Sequence, residues 1–179
     1  MKIIGLLGIF IFVISGCASL PGMASVPMES AQITKVAKQF DPPSDGMAGL
    51  YIYRNTSFGG ASHINVWVDS NCIGTTAPYV FFYEEVEGGI SYSVSSAYTW
   101  AEPPPNDALI KVKSGMNYFF QQNINLASTD IELVDEEQGK EEVSKLDMAT
   151  KYTCRRSSQP KLDLYNMQSI GRSLCGLLC

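Results

Sequence analysis

His63-Ile64-Asn65-Val66-Trp67-Val68-Asp69, then Ser70-Asn71, then Cys72-Ile73-Gly74-Thr75-Thr76, make the clearest structural statement in the chain. Ile64, Val66 and Val68 fall on every second position, so they share one face of a strand while Asn65 and Trp67 take the other. Ser70-Asn71 reads as a tight turn, because Asn tolerates the left-handed backbone that a hairpin needs. Cys72 to Thr76 then returns as a second strand.

The same grammar extends in both directions. Leu50 to Arg54, Tyr79 to Tyr83, Ile90 to Ser95, Leu109 to Val112, Asn117 to Asn125 and Ile131 to Val134 are short β-rich runs. They are separated by Gly59-Gly60, Gly88-Gly89, Pro103-Pro104-Pro105-Asn106-Asp107 and Ser114-Gly115. Turn signals recurring every ~8–12 residues predict a mainly β fold. The expectation is a small antiparallel β-sandwich, immunoglobulin-like or prealbumin-like, with one or two short flanking helices. No strand–helix–strand crossover unit is visible, which argues against a parallel sheet.

Two segments carry a helical period. Ile33, Val36, Ala37 and Phe40 recur at i, i+3, i+4 and i+7, with Ser30 as a cap and Asp41-Pro42-Pro43 as a stop. They form a short helix docked on the domain or a part of a tether; the docked helix is expected. Asp130 to Asp147 is acidic, and Val143 and Leu146 face a core from one helical turn. The acidic residues read as a solvated face. Asp135 to Gly139 lacks the spacing of a calcium-binding EF-hand loop.

With 179 residues the chain fits one domain. Its net charge of −5 excludes a basic nucleic-acid footprint. A single His rules out mechanisms that need two imidazoles, and an odd count of five Cys asks for an explanation. The leader supplies it. Lys2 precedes an apolar run from Ile3 to Ile14, too short for a membrane span of about 20 residues but suited to a signal peptide. The run ends in Ile14-Ser15-Gly16-Cys17, which resembles the lipobox of bacterial lipoproteins. That resemblance implies lipidation (thioether diacylglycerol and an amide-linked fatty acid such as palmitate) of Cys17 and removal of residues 1–16. Ala18 stands where an Asp would signal inner-membrane retention, so the expected location is the outer membrane, on its periplasmic side. The expected organisation is a signal peptide over 1–16, lipid anchor, tether and short helix over 17–47, a β-sandwich over 48–147 and a basic Cys-containing tail over 148–179. Leu20 to Met28 reads as flexible. The tail reads as an amphipathic helix or, as expected here, a poorly ordered extension.

Four cysteines then remain: Cys72, Cys154, Cys175 and Cys179. An oxidising compartment favours disulfides, with three possible pairings. Cys72–Cys154 is favoured, with Cys175 and Cys179 paired together or free. A zinc site is disfavoured by spacing, and no metal or cofactor is expected. His63 beside a reduced Cys72 would be needed for a nucleophile pair, and a plain loop histidine is the better reading. Glu84 and Glu85 are adjacent on a strand, point to opposite faces, and do not flank one bond. No Gly-x-Ser-x-Gly, phosphate-loop or dinucleotide motif is present. The aromatic stretch from Tyr79 to Trp100 reads mostly as core. Tyr98 and Trp100, beside the Pro-rich loop, are the candidate exposed platform for a ligand, glycan or partner.

Several strings carry a family resemblance in order: Phe40-Asp41-Pro42-Pro43, Leu50-Tyr51-Ile52-Tyr53-Arg54, Val66-Trp67-Val68-Asp69 with Ile73-Gly74, Asn117-Tyr118-Phe119, and Leu133-Val134-Asp135-Glu136 with Gly139. Together they resemble lipoproteins of domain-of-unknown-function family 2846. The Val-x-Val-Asp, Ile-Gly, Thr-x-Ala-Pro and Gly-Gly series also resembles the hairpin of PEGA-type surface domains, with Ser70 where that pattern has Gly. Both resemblances imply a small β-sandwich, and neither brings catalytic residues. The expected function is a non-enzymatic structural or interaction domain, held to the membrane through Cys17. Another envelope protein is a possible partner. The alternative is a small-ligand, glycan or peptidoglycan-binding module using Tyr98 and Trp100.

Overall fold

The computed structural model describes residues 22–101, 108–126 and 128–155. Its elements are α1 (Ala31–Ala37), β1 (Met47–Arg54), β2 (Ile64–Val68), β3 (Asn71–Thr76), β4 (Val80–Glu87), β5 (Ser91–Tyr98), β6 (Ala108–Lys111), β7 (Asn117–Ile124), β8 (Thr129–Val134), α2 (Glu136–Ser144) and β9 (Asp147–Met148). Five strands form one sheet in the order β8-β7-β1-β4-β9, and four form the other as β3-β2-β5-β6. The mainly β sandwich predicted by the alternation is what the chain adopts.

Leu50, Ile52, Val80, Phe82 and Phe120 of the first sheet meet Val66, Val68, Ile73 and Val94 of the second in one buried core. A second apolar layer lies on the far side of the five-stranded sheet. There Tyr51, Tyr53, Phe81 and Phe119 are covered by Val143 of α2, Leu146 and Met148. Strand β1 is therefore buried on both faces, which is why Leu50-Tyr51-Ile52-Tyr53 is continuously apolar instead of alternating. Asp135 caps α2 by accepting from the Gln138 amide (2.9 Å), and Lys140 and Lys145 pair with Glu136, Glu141 and Glu142 along its wet face.

Four features depart from the sequence expectation. The five-stranded sheet is mixed: β1 runs parallel to β7, and β4 parallel to the two-residue β9. The β2–β3 turn is Asp69-Ser70, one residue earlier than predicted, with Asp69 taking the positive φ of 53°. Its carboxylate accepts from the Ser93 amide (2.9 Å), so an Asp serves where a Gly is usual.

The third departure is α1. Thr34 is its buried residue, while Ile33 and Val36 are half exposed. The predicted stripe is broken because the helix ends before Phe40, which adopts a φ of 55° and turns its ring onto Tyr51 and Phe119. The fourth concerns both ends of the described chain. Residues read as a flexible tether are bonded to the body: the Ala24 amide donates to Gly60 O (2.7 Å), and Pro27 O accepts from the Thr150 amide (2.9 Å). At the other end, residues 151–155 of the expected loose tail lie along the free edge of β3. The Tyr152 amide donates to Ile73 O (2.6 Å) and the Arg155 amide to Thr75 Oγ1 (2.9 Å). Covering that edge removes a pairing surface that would invite aggregation.

Candidate functional site

Arg54 organises one end of the sandwich. Its side chain is fully buried, and no acidic side chain pairs with it among the described residues. Nη2 donates to the carbonyls of Phe58 (2.9 Å) and Gly59 (3.0 Å), and Nη1 to that of Ser62 (3.2 Å). Burial lowers its pKa to about 10, so it stays charged at neutral pH. One guanidinium thus fixes the loop between β1 and β2, because its fork reaches three carbonyls at once. His63 closes the same loop, with Nε2 at 3.3 Å from Ser25 O. It lies at the far end of the β2–β3 hairpin from Cys72, whose sulfur is bonded to Cys154. No Cys–His pair forms there.

Beside this loop, the indole of Trp100 stacks on Tyr98 at 4.1 Å between ring centres, with the planes 18° apart. Only Trp100 is exposed. Tyr98 is buried against Ile64 and Ile124, and its hydroxyl donates to Asn125 O (2.8 Å). The expected two-ring platform is thus corrected: Tyr98 is the support and Trp100 the face. Tyr98 sits inward because its position on β5 faces Ile64 across the sheet.

The Cys72–Cys154 disulfide pins residues 151–155 across the edge of β3. A cavity of about 420 Å³ opens next to it, lined by Asp69, Asn71, Glu84, Tyr92 and Tyr152 among others. Glu84 is already engaged there by Lys151 Nζ (2.5 Å) and Tyr152 OH (3.1 Å). A second groove of about 350 Å³ runs between α1 and the five-stranded sheet, with Ile33, Val36, Tyr51, Tyr83 and Met148 in its walls. Glu85 stands at its rim. Hydrogen bonds from Ser44 and then Tyr83 hold its carboxyl below the usual range. Glu84 and Glu85 face these separate sites, as adjacent strand residues must. Burial raises the pKa of Tyr51, and pushes that of Tyr53 up to about 12, so both stay protonated donors to Ala37 O and Gln121 Oε1.

Cys17, Cys175, Cys179 and the triple proline of 103–105 lie outside the described residues. Among the described residues, no group of three or more His, Cys, Asp or Glu side chains is placed to hold a metal ion. Arg54 is the functional-looking residue that sequence reading missed. Its only signal was a strand ending in Arg directly before a Gly-rich loop.

Four of the residues behind the family resemblance hold the fold. Gly74 and Gly139 lie so close to the rings of Phe82 and Phe119 that a Cβ would overlap them. Asn117 Nδ2 donates to the carbonyls of Phe40 and Asp41 (3.1 Å each), tying the loop after α1 to β7. Asp135 is the α2 cap. A family model described as "Protein of unknown function (DUF2846)" matches residues 44–135, from the turn before β1 to that cap. A relative from Haemophilus influenzae, an "Uncharacterized protein", is 39% identical over 137 residues, spanning 74% of this chain and 79% of the relative. No solved structure matches.

Proposed function

The chain belongs to the DUF2846 family of proteins of unknown function, and we propose that it is a lipid-anchored lipoprotein of the cell envelope. In this reading Cys17 carries the lipid, the domain faces the periplasm from the outer membrane, and the sandwich is a structural or interaction module, not an enzyme. The Cys72–Cys154 bond carries the reading. A disulfide inside a chain with an Ile14-Ser15-Gly16-Cys17 leader fits an exported, oxidising destination. The family-pattern residues support the non-enzymatic part, because packing, capping and loop closure already occupy them. Cell fractionation tests it: the native chain is expected in the membrane fraction and Cys17→Ser in the soluble periplasm. A native chain recovered wholly soluble refutes the anchor.

A second reading rests on Trp100, whose exposed indole is pre-positioned by Tyr98. Such a face can stack on a sugar ring or a peptide side chain. Sedimentation with purified cell-wall sacculi that is lost in Trp100→Ala supports it. Unchanged sedimentation in that variant removes it.

A further inference from the structure

Four loops meet at the Arg54 end of the sandwich. Gly60 lies beside Pro78 of the β3–β4 turn, the Thr99 amide donates to His63 O (3.3 Å), and Tyr98 reaches Asn125 of the β7–β8 turn. Each loop exposes one large apolar side chain: Phe58 at 50%, Tyr79 at 50%, Trp100 at 57% and Leu126 at 92%. The described residues of these loops, 55–63, 77–79, 99–101 and 125–128, contain no Asp, Glu, Lys or Arg. Three acids flank them: Asp130 and Glu142 are bonded to Asn125 and Asn55, and Asp147, exposed beside β4, donates its amide to Tyr79 O (3.4 Å). The Trp100 loop continues into 102–107, outside the described residues, with Glu102 and Asp107 in its sequence. The opposite end of the sandwich is charged, with Asp45, Asp69, Glu87, Lys111 and Lys113 in or beside its turns.

The chain enters the described fold at the same end as these loops, where the Ala24 amide donates to Gly60 O. Cys17 is five residues before Gly22, a reach of at most ~18 Å when extended. We propose that this end of the sandwich is a lipid-facing surface, with Phe58, Tyr79, Trp100 and Leu126 resting in the headgroup layer beside the anchor. The proposal rests on lipid attachment at Cys17. A tether that short makes contact with the bilayer intramolecular, so a small patch suffices to orient the domain. Trp and Tyr suit this position, since each has an apolar body and a polar tip. An acidic domain approaches an anionic bilayer most favourably by the loops whose described residues carry no acidic side chain. Arg155 sits at the same end, with Nη2 at 3.3 Å from Ser25 O, and its cation complements anionic headgroups.

The test is Trp100 fluorescence in the full mature chain carrying Trp67→Phe, which leaves one Trp. The chain is reconstituted in phosphatidylethanolamine–phosphatidylglycerol vesicles with brominated acyl chains. The proposal expects Trp100 to shift to the blue and lose most of its emission. Adding Phe58→Ser and Leu126→Ser, both exposed and so tolerated by the fold, is expected to restore much of it. A chain that floats with the vesicles while Trp100 stays unquenched overturns the surface and leaves the anchor intact. A native chain that does not float and is not quenched sinks both. Quenching that persists in Cys17→Ser sustains the surface without the lipid. Trp100 emission altered by soluble cell-wall fragments and not by brominated lipid overturns the lipid assignment in favour of a glycan.

Discussion

Cutting the Cys72–Cys154 bond tests how the end of the chain is secured. The bond joins positions separated by 82 residues. In the chain-entropy account, releasing a loop of that size gives the unfolded state enough freedom to cost about 4.5 kcal/mol. For a body of this size that corresponds to a fall in Tm of about 15–20 °C. The double variant Cys72→Ala/Cys154→Ala keeps the hydrogen bonds that lay residues 152–155 along β3, from Tyr152 to Ile73 and from Arg155 to Thr75. The fold is therefore expected to persist, with the segment fraying first, because it is held by a few polar contacts at an edge. Thermal unfolding by circular dichroism reads the first effect, and hydrogen exchange at Arg155 reads the second. A double variant that melts within about 3 °C of the native chain refutes the reasoning. So does a non-reducing peptide map that pairs Cys72 with Cys175 or Cys179.

Other perturbations have defined outcomes. Arg54→Met strands the carbonyls of Phe58, Gly59 and Ser62, and urea titration is expected to show a loss of about 3 kcal/mol. Arg54→Lys restores little of it, because a point ammonium does not span three acceptors. Gly139→Ala gains about 1 kcal/mol of helix propensity but drives a methyl into the Phe119 ring, for a net loss of about 1–2 kcal/mol. Phe119→Leu in that background is expected to recover part of it. The carboxyls of Glu85 and Glu142 have pKa values lowered in the fold, the first by Ser44 and the second by Lys145. Their contribution is fully present above the ordinary carboxyl value of 4.5 and is lost as pH falls below it. Acid titration of Glu85→Gln is expected to show a shallower decline below that pH than the native chain.

The strand pattern was legible because burial on one face forces a period of two, as in Ile64-Asn65-Val66. The parallel pairing of β1 with β7 was not legible. It joins residues such as Tyr51 and Phe119, far apart in sequence, and no local turn signal encodes it. The same holds for Thr34, buried in place of Ile33, since where α1 docks depends on the chain turning at Phe40. Arg54 was hidden by its own chemistry, because a charged strand terminus normally points to water. Trp100 was legible as a candidate from its place beside the Pro-rich loop. Tyr98 was misplaced with it because inward and outward positions at a strand end differ by one register step.

The most direct measurement is mass spectrometry of the mature amino terminus purified from membranes. The account predicts a chain that begins at Cys17, with the thiol carrying a diacylglyceryl group and the new amino terminus acylated. A mature protein that begins elsewhere, or at an unmodified Cys17, contradicts it.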